Sequence, residues 1–142
     1  MMKYAAVTAF CIAALLAGTA AVAQDQLDVS SAVNWEDGIL IIEVEADIVG
    51  SKSPGEARVA FEEQLRREIG GIFLESLYGV YLDSYRSVKE TVERDVSLLT
   101  ALLDIGNSSA PLSIRLDASL SKLTATYEYS FYPDITGVFV TH

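Results

Sequence analysis

Carboxylates are the reactive side chains this sequence offers in number, 20 of its 142 residues, and their spacing decides what chemistry is open to them. Glu43, Glu45 and Asp47 recur at period two, which on a strand turns all three to one face, close enough to share a hard cation. Calcium sites draw more oxygens from a sharply turning loop, and nothing around these residues resembles one. The trio therefore reads as a solvated strand face whose charge discourages edge-to-edge pairing.

Two further pairs, Asp25/Asp28 and Asp83/Glu90, have the residue types for acid-base work on a bond held between them. That chemistry depends on their separation in space, which spacing along the chain does not give, and the simpler reading is surface charge and helix-end electrostatics. A nucleophilic mechanism needs a base beside Ser, Cys or Thr. The single histidine is His142, the single cysteine is Cys11, and no GxSxG, HExxH, CxxC or glycine-rich phosphate loop is present. The expectation is a non-enzyme, with no catalytic, metal or cofactor-binding residues and no cofactor.

The aromatic residues are the other candidates for function. Tyrosine is favoured where one end of a ring is dry and the other wet, as at protein interfaces. Tyr127, Tyr129 and Phe131 alternate along an apolar run and read as core or cross-strand pairs. Tyr81, Tyr85 and Tyr132 are then the candidate partner surface, and Trp35, beside a turn signal, reads as a lid over the sheet edge.

These residues have to be held by elements, and the pattern supplies them. Asp37-Gly38 divides two apolar runs, and Gly38 suits the positive φ of a tight hairpin. Leu40, Ile42, Val44, Ala46 and Ile48 then alternate with Ile41, Glu43, Glu45 and Asp47, a strand with one buried face. Ser53-Pro54-Gly55-Glu56 has the cap, first-turn proline and capping-box glutamate of a helix start. Ala57, Phe61, Leu65, Ile69, Ile72, Phe73 and Leu77 form its apolar stripe, with Arg58, Glu62, Arg66 and Arg67 opposite. Gly70-Gly71 inside it predicts close approach of the helix backbone to the sheet, with a kink or hinge as the alternative, and Gly79 predicts a left-handed cap.

Val80 to Tyr85 reads as a short strand, and Ser87-Val88-Lys89-Glu90 opens a second amphipathic helix that runs to Gly106-Asn107. Asn107 to Pro111 is a loop; Leu112 to Ala118 is either a strand or a turn-rich link. From Lys122, Leu123, Ala125, Tyr127, Tyr129 and Phe131 form one strand face, and Gly137 to His142 reads as a final strand. The expected fold is α+β in two layers: an antiparallel sheet, including the Val80 strand, with two amphipathic helices on one face.

Ahead of this domain, Met1-Met2-Lys3 is basic, Tyr4 to Ala17 is almost wholly apolar, and Ala21-Val22-Ala23 is a small-x-small cleavage signal. The expectation is a signal peptide over 1–23, cut after Ala23, and a single domain over 24–142, which a longer protein could continue. Export would place the product in the periplasm or medium. Phe10 before Cys11 argues against lipid attachment, and the mature chain would carry no disulfide. An uncleaved leader of this length would just span a bilayer, which leaves an anchored regulator open. The net charge of −10 becomes one unit more negative when Lys3 leaves. Such a chain repels phosphate, so nucleic acid is excluded as a partner, and a membrane is expected only if the leader is retained.

The order of elements resembles the N-terminal module of the flagellar T-ring protein and related small exported bacterial lipoproteins. The residues that carry the likeness are Trp35, Gly38, Ala57-Arg58, Gly79-Val80 and Asp83-Ser84. The chain departs from that module where Phe61-Glu62-Glu63-Gln64-Leu65-Arg66-Arg67 replaces an Ala-rich run. It is also similar to uncharacterised exported bacterial proteins that continue past the position of His142. Both likenesses imply an envelope assembly role, with another envelope protein as partner, and neither implies catalytic residues. The expectation is an exported, non-catalytic, envelope- or appendage-associated binding or structural module. A secreted hydrolase using the paired carboxylates is the competing class.

Overall fold

Asn34 and Gly38 set the first ladder of the sheet. The Asn34 carboxamide oxygen accepts from the backbone N–H groups of Glu36 (3.1 Å) and Asp37 (3.2 Å), and its NH2 donates to Asp37 Oδ2 at 2.7 Å. Gly38 completes the turn at φ 64°, in the region where a side chain would clash. The computed structural model describes residues 26–48, 50, 53–80 and 87–140. The leader over 1–23, the strand expected at Val80 to Tyr85, Asp25, Asp83 and His142 fall wholly or mainly outside those residues.

Strands β1 (Asp28–Asn34) and β2 (Ile39–Asp47) form the hairpin, with Asn34 opposite Ile39 and Asp28 opposite Glu45. β3 (Ser113–Leu116) and β4 (Lys122–Ser130) form a second one. β4 lies against β2, Ile39 opposite Ser130 and Asp47 opposite Lys122, so the antiparallel sheet has the order β1-β2-β4-β3. This settles Leu112 to Ala118 as strand at its centre. The turn after β3 is organised by Asp117, whose carboxylate accepts from Ser119 and Ser121 hydroxyls and from the amides of Ser121 (2.7 Å) and Lys122 (2.9 Å). These bonds hold its carboxyl far below the usual carboxylate range, the Ser119 hydroxyl contributing most.

Helix α1 (Pro54–Tyr78) starts as its sequence predicts: Ser53 Oγ accepts from Glu56 N–H at 3.3 Å and Pro54 occupies the first turn. Its end differs, because Gly79 has right-handed helical angles (φ −83°, ψ −6°) rather than the left-handed cap. The second helical segment is two helices, α2 (Val88–Arg94) and α3 (Val96–Ser108), not one. Ser87 and Glu90 make the full capping box that opens α2. Asp95 then adopts extended angles and its side chain accepts from Ser97 N–H at 2.9 Å, so a local carboxylate ends one helix and caps the next.

The two layers meet over one interior. β2 contributes Leu40, Ile42 and Val44; β4 contributes Leu123, Ala125, Tyr127 and Tyr129; α1 covers them with Phe61, Leu65, Ile69, Phe73 and Leu77. α3 adds Leu98 and Leu102. Gly70-Gly71 does not bring α1 to the sheet. Gly70 lies against Asn107, and a methyl on Gly106 would come within 2.9 Å of Phe73 Cβ and 3.1 Å of Gly70 Cα. The glycines therefore set a close crossing of α1 on α3.

The segment after β4 also departs from its pattern. Phe131–Ile135 is a kinked segment in which Tyr132 is extended (φ −123°, ψ 128°) and the Tyr132–Pro133 bond is cis, and Thr136–Val140 is the short helix α4 rather than a strand. A short apolar run reads equally as either element, and here Ile135 is buried while Val138 and Phe139 pack against the core from a helix.

Candidate functional site

Arg58, Glu62, Leu65, Arg66 and Ile69 lie at i, i+4, i+7, i+8 and i+11 on α1, so the helix turns them to one side. That side faces the segment that leaves α3 and enters β3, and between them is a groove of about 640 Å³. Such a volume falls within the ordinary range for ligand clefts, roughly 300–1,000 Å³. Leu65, Ile69 and Tyr127, all nearly fully buried, give it an apolar base. Asn107 to Ile114 make the opposite wall, with Leu112 strongly exposed at its lip.

That wall is fixed by satisfying the free carbonyls at the end of α3. The last four carbonyls of a helix have no intrahelical donor. Ser108 Oγ (3.0 Å) and Ser109 Oγ (3.3 Å) both donate to Ile105 O, and Tyr129 Oη reaches from the sheet to donate to Gly106 O at 3.2 Å. Leu112 N–H then joins Thr126 O at 2.7 Å and leads the chain into β3. Behind the wall, Tyr129 packs on Phe73 (centroids 4.3 Å apart) and stacks on Tyr127 (6.2 Å). Burial, reinforced by the neighbouring Tyr127, raises the Tyr129 hydroxyl well above its ordinary value, and burial alone raises that of Tyr127. Both stay neutral donors.

The electrostatics of the rim are uneven. Arg58 is engaged by Glu62 at 3.1 Å, whereas Arg66 has no ion pair among the described residues. The Tyr127 hydroxyl likewise has no hydrogen-bond partner among the described residues, and Tyr127 lines the groove. Apolar base, free guanidinium and uncommitted hydroxyl together suit a ligand with apolar groups and a carboxylate.

Of the partner surface expected from sequence, Tyr132 is 82% exposed but does not line the groove, and Tyr81 and Tyr85 lie outside the described residues. Tyr132 follows Phe131, whose ring stacks on Trp35 at 5.7 Å. Trp35 is itself 70% exposed, so it covers Phe131 more than it lids an edge. The expected core residue Tyr127 is buried and also lines the groove, and Arg58 and Arg66, read as solvent-facing, form its rim. Their spacing on one helix face was the available signal. Neither carboxylate pair is placed, because Asp25 and Asp83 lie outside the described residues. Glu43, Glu45 and Asp47 share the open sheet face, where Lys122 reaches Glu45 at 3.6 Å. No group of three or more metal-ligating side chains is found among the described residues, and no helix among them is long and apolar enough to cross a membrane.

The family model described as Treponema pallidum Tp0624, N-terminal domain, matches residues 26–138. That span begins just before β1 and ends within α4, taking in the whole sheet and both walls of the groove. No curated protein and no solved structure matches the chain.

Proposed function

The chain belongs to the family of the Tp0624 N-terminal domain, whose matched span coincides with one sheet-and-helix unit, and we propose that this unit is a non-catalytic protein-binding module of the bacterial envelope or its appendages, exported by the leader over 1–23. The groove between α1 and β3 carries the proposal: apolar surface, a guanidinium without an ion pair among the described residues and hydrogen-bonding groups converge there. The basic start, apolar run and Ala21-Val22-Ala23 support export. The likeness to the flagellar T-ring module supports the appendage side of the reading, through Trp35, Gly38 and Ala57-Arg58.

Site-specific photocrosslinking in cells tests it. A photoreactive residue at Leu112, on the groove lip, is expected to capture a defined envelope protein, whereas the same group at the exposed Val59, which does not line the groove, captures none. Capture of soluble enzymes alone, or equal yields from both positions, would defeat the proposal. N-terminal sequencing of the exported form, expected to begin at Gln24, tests the leader.

A further inference from the structure

Resting on the reading of this groove as a protein-binding site, we infer that its occupant is an extended, acidic peptide segment of the partner that adds as a fifth strand to the free edge of β3. Among the described residues, the sheet order leaves β3 hydrogen-bonded on one side only, to β4. Asp117 N–H donates to Lys122 O, and the Ser113–Leu116 register continues that pairing. Alternation along an antiparallel ladder then points Ser113 and Arg115 amides at β4 and leaves those of Ile114 and Leu116 on the open edge. An extended chain laid there gains main-chain hydrogen bonds, and every second side chain turns toward the groove beneath.

The groove selects among such chains. Leu65, Ile69 and Tyr127 at its base take apolar side chains. Arg66 on the rim takes a carboxylate, and its charge stands out on a chain of net charge −10, which repels acidic segments elsewhere. The four-residue length of β3 limits the contact to a short segment, which suits a linear motif rather than a broad docking face.

Fluorescence anisotropy on the full chain tests the inference, with an array of labelled heptapeptides that alternate valine or leucine with threonine and carry one aspartate at each position in turn. Saturable binding is expected for one aspartate position. Arg66→Glu should weaken it about tenfold or more, the loss of one charge-assisted contact, and replacing the peptide aspartate by lysine should restore affinity to that variant. Ile114→Pro removes an outward amide and should abolish binding while the melting curve stays cooperative. If that variant does not fold, N-methylation of alternate peptide amides makes the same test on the native protein. The inference is overturned if no peptide binds, if the N-methylated peptide binds equally, or if free acetate competes as well as the peptide, which would mark a small-carboxylate site. An envelope partner captured through Leu112 but bound equally by Arg66→Glu and wild type would overturn this mode of recognition and leave the protein-binding reading standing. A binding peptide without an envelope partner would do the reverse.

Discussion

Tyr129 is the residue on which sheet, helix and groove depend together. Its hydroxyl bonds the Gly106 carbonyl at the end of α3, while its ring fills the space between Phe73 and Tyr127. Tyr129→Phe keeps the ring and leaves that carbonyl without its donor, a loss of about 1–3 kcal/mol; chemical denaturation should show it as a lower midpoint at unchanged slope. The opposite effect is expected at Thr136, whose buried hydroxyl has no partner. Thr136→Val exchanges it for a methyl and should raise stability by about 1 kcal/mol in the same assay. Asp117 adds a pH dependence. Its pKa is lower folded than unfolded, chiefly through the Ser119 hydroxyl, so its contribution is present above the unfolded value of about 3.9 and is lost as pH falls from there toward the folded value. Asp117→Asn should flatten the acid limb of a stability profile and speed amide exchange at Ser121 and Lys122.

At the scale of elements, the crossing of α1 on α3 is the joint to test. Gly71 faces open space, so Gly71→Ala should stabilise α1 by up to about 1 kcal/mol. Gly106→Ala drives a methyl into Phe73 Cβ and the Gly70 backbone and should destabilise by about 1–3 kcal/mol. Thermal melts of the two variants should therefore move in opposite directions. The same crossing shows why sequence revealed only part of the arrangement. Period-two alternation through Leu40 to Ala46 and Leu123 to Tyr129 announced both central strands, because each has one wet and one dry face. The stripe from Ala57 to Leu77 announced α1 for the corresponding reason. The glycine pair announced a close approach but not its target, since a missing side chain carries no sign of what lies opposite. The break at Asp95 was hidden by a stripe that continues across it, and α4 by an apolar run too short to have a period. The groove was half legible: the Arg58, Glu62 and Arg66 spacing gave one wall, whereas the other depends on where β3 joins the sheet.

For the molecule as a whole, the apolar stripes close one interior and, among the described residues, the sheet is left with two free edges, β1 and β3. β3 borders a groove with a cationic rim, on a chain that carries twice as many acidic as basic residues. The account stands or falls on whether that edge is open in the free protein and occupied in the complex. Amide hydrogen exchange followed residue by residue measures this directly. The amides of β2 and β4 should exchange slowly throughout, while those of Ile114 and Leu116 exchange rapidly in the free chain and become protected on binding the peptide selected from the array. Protection of Ile114 and Leu116 before any ligand is added, or its failure to rise when the groove is filled, would contradict the account.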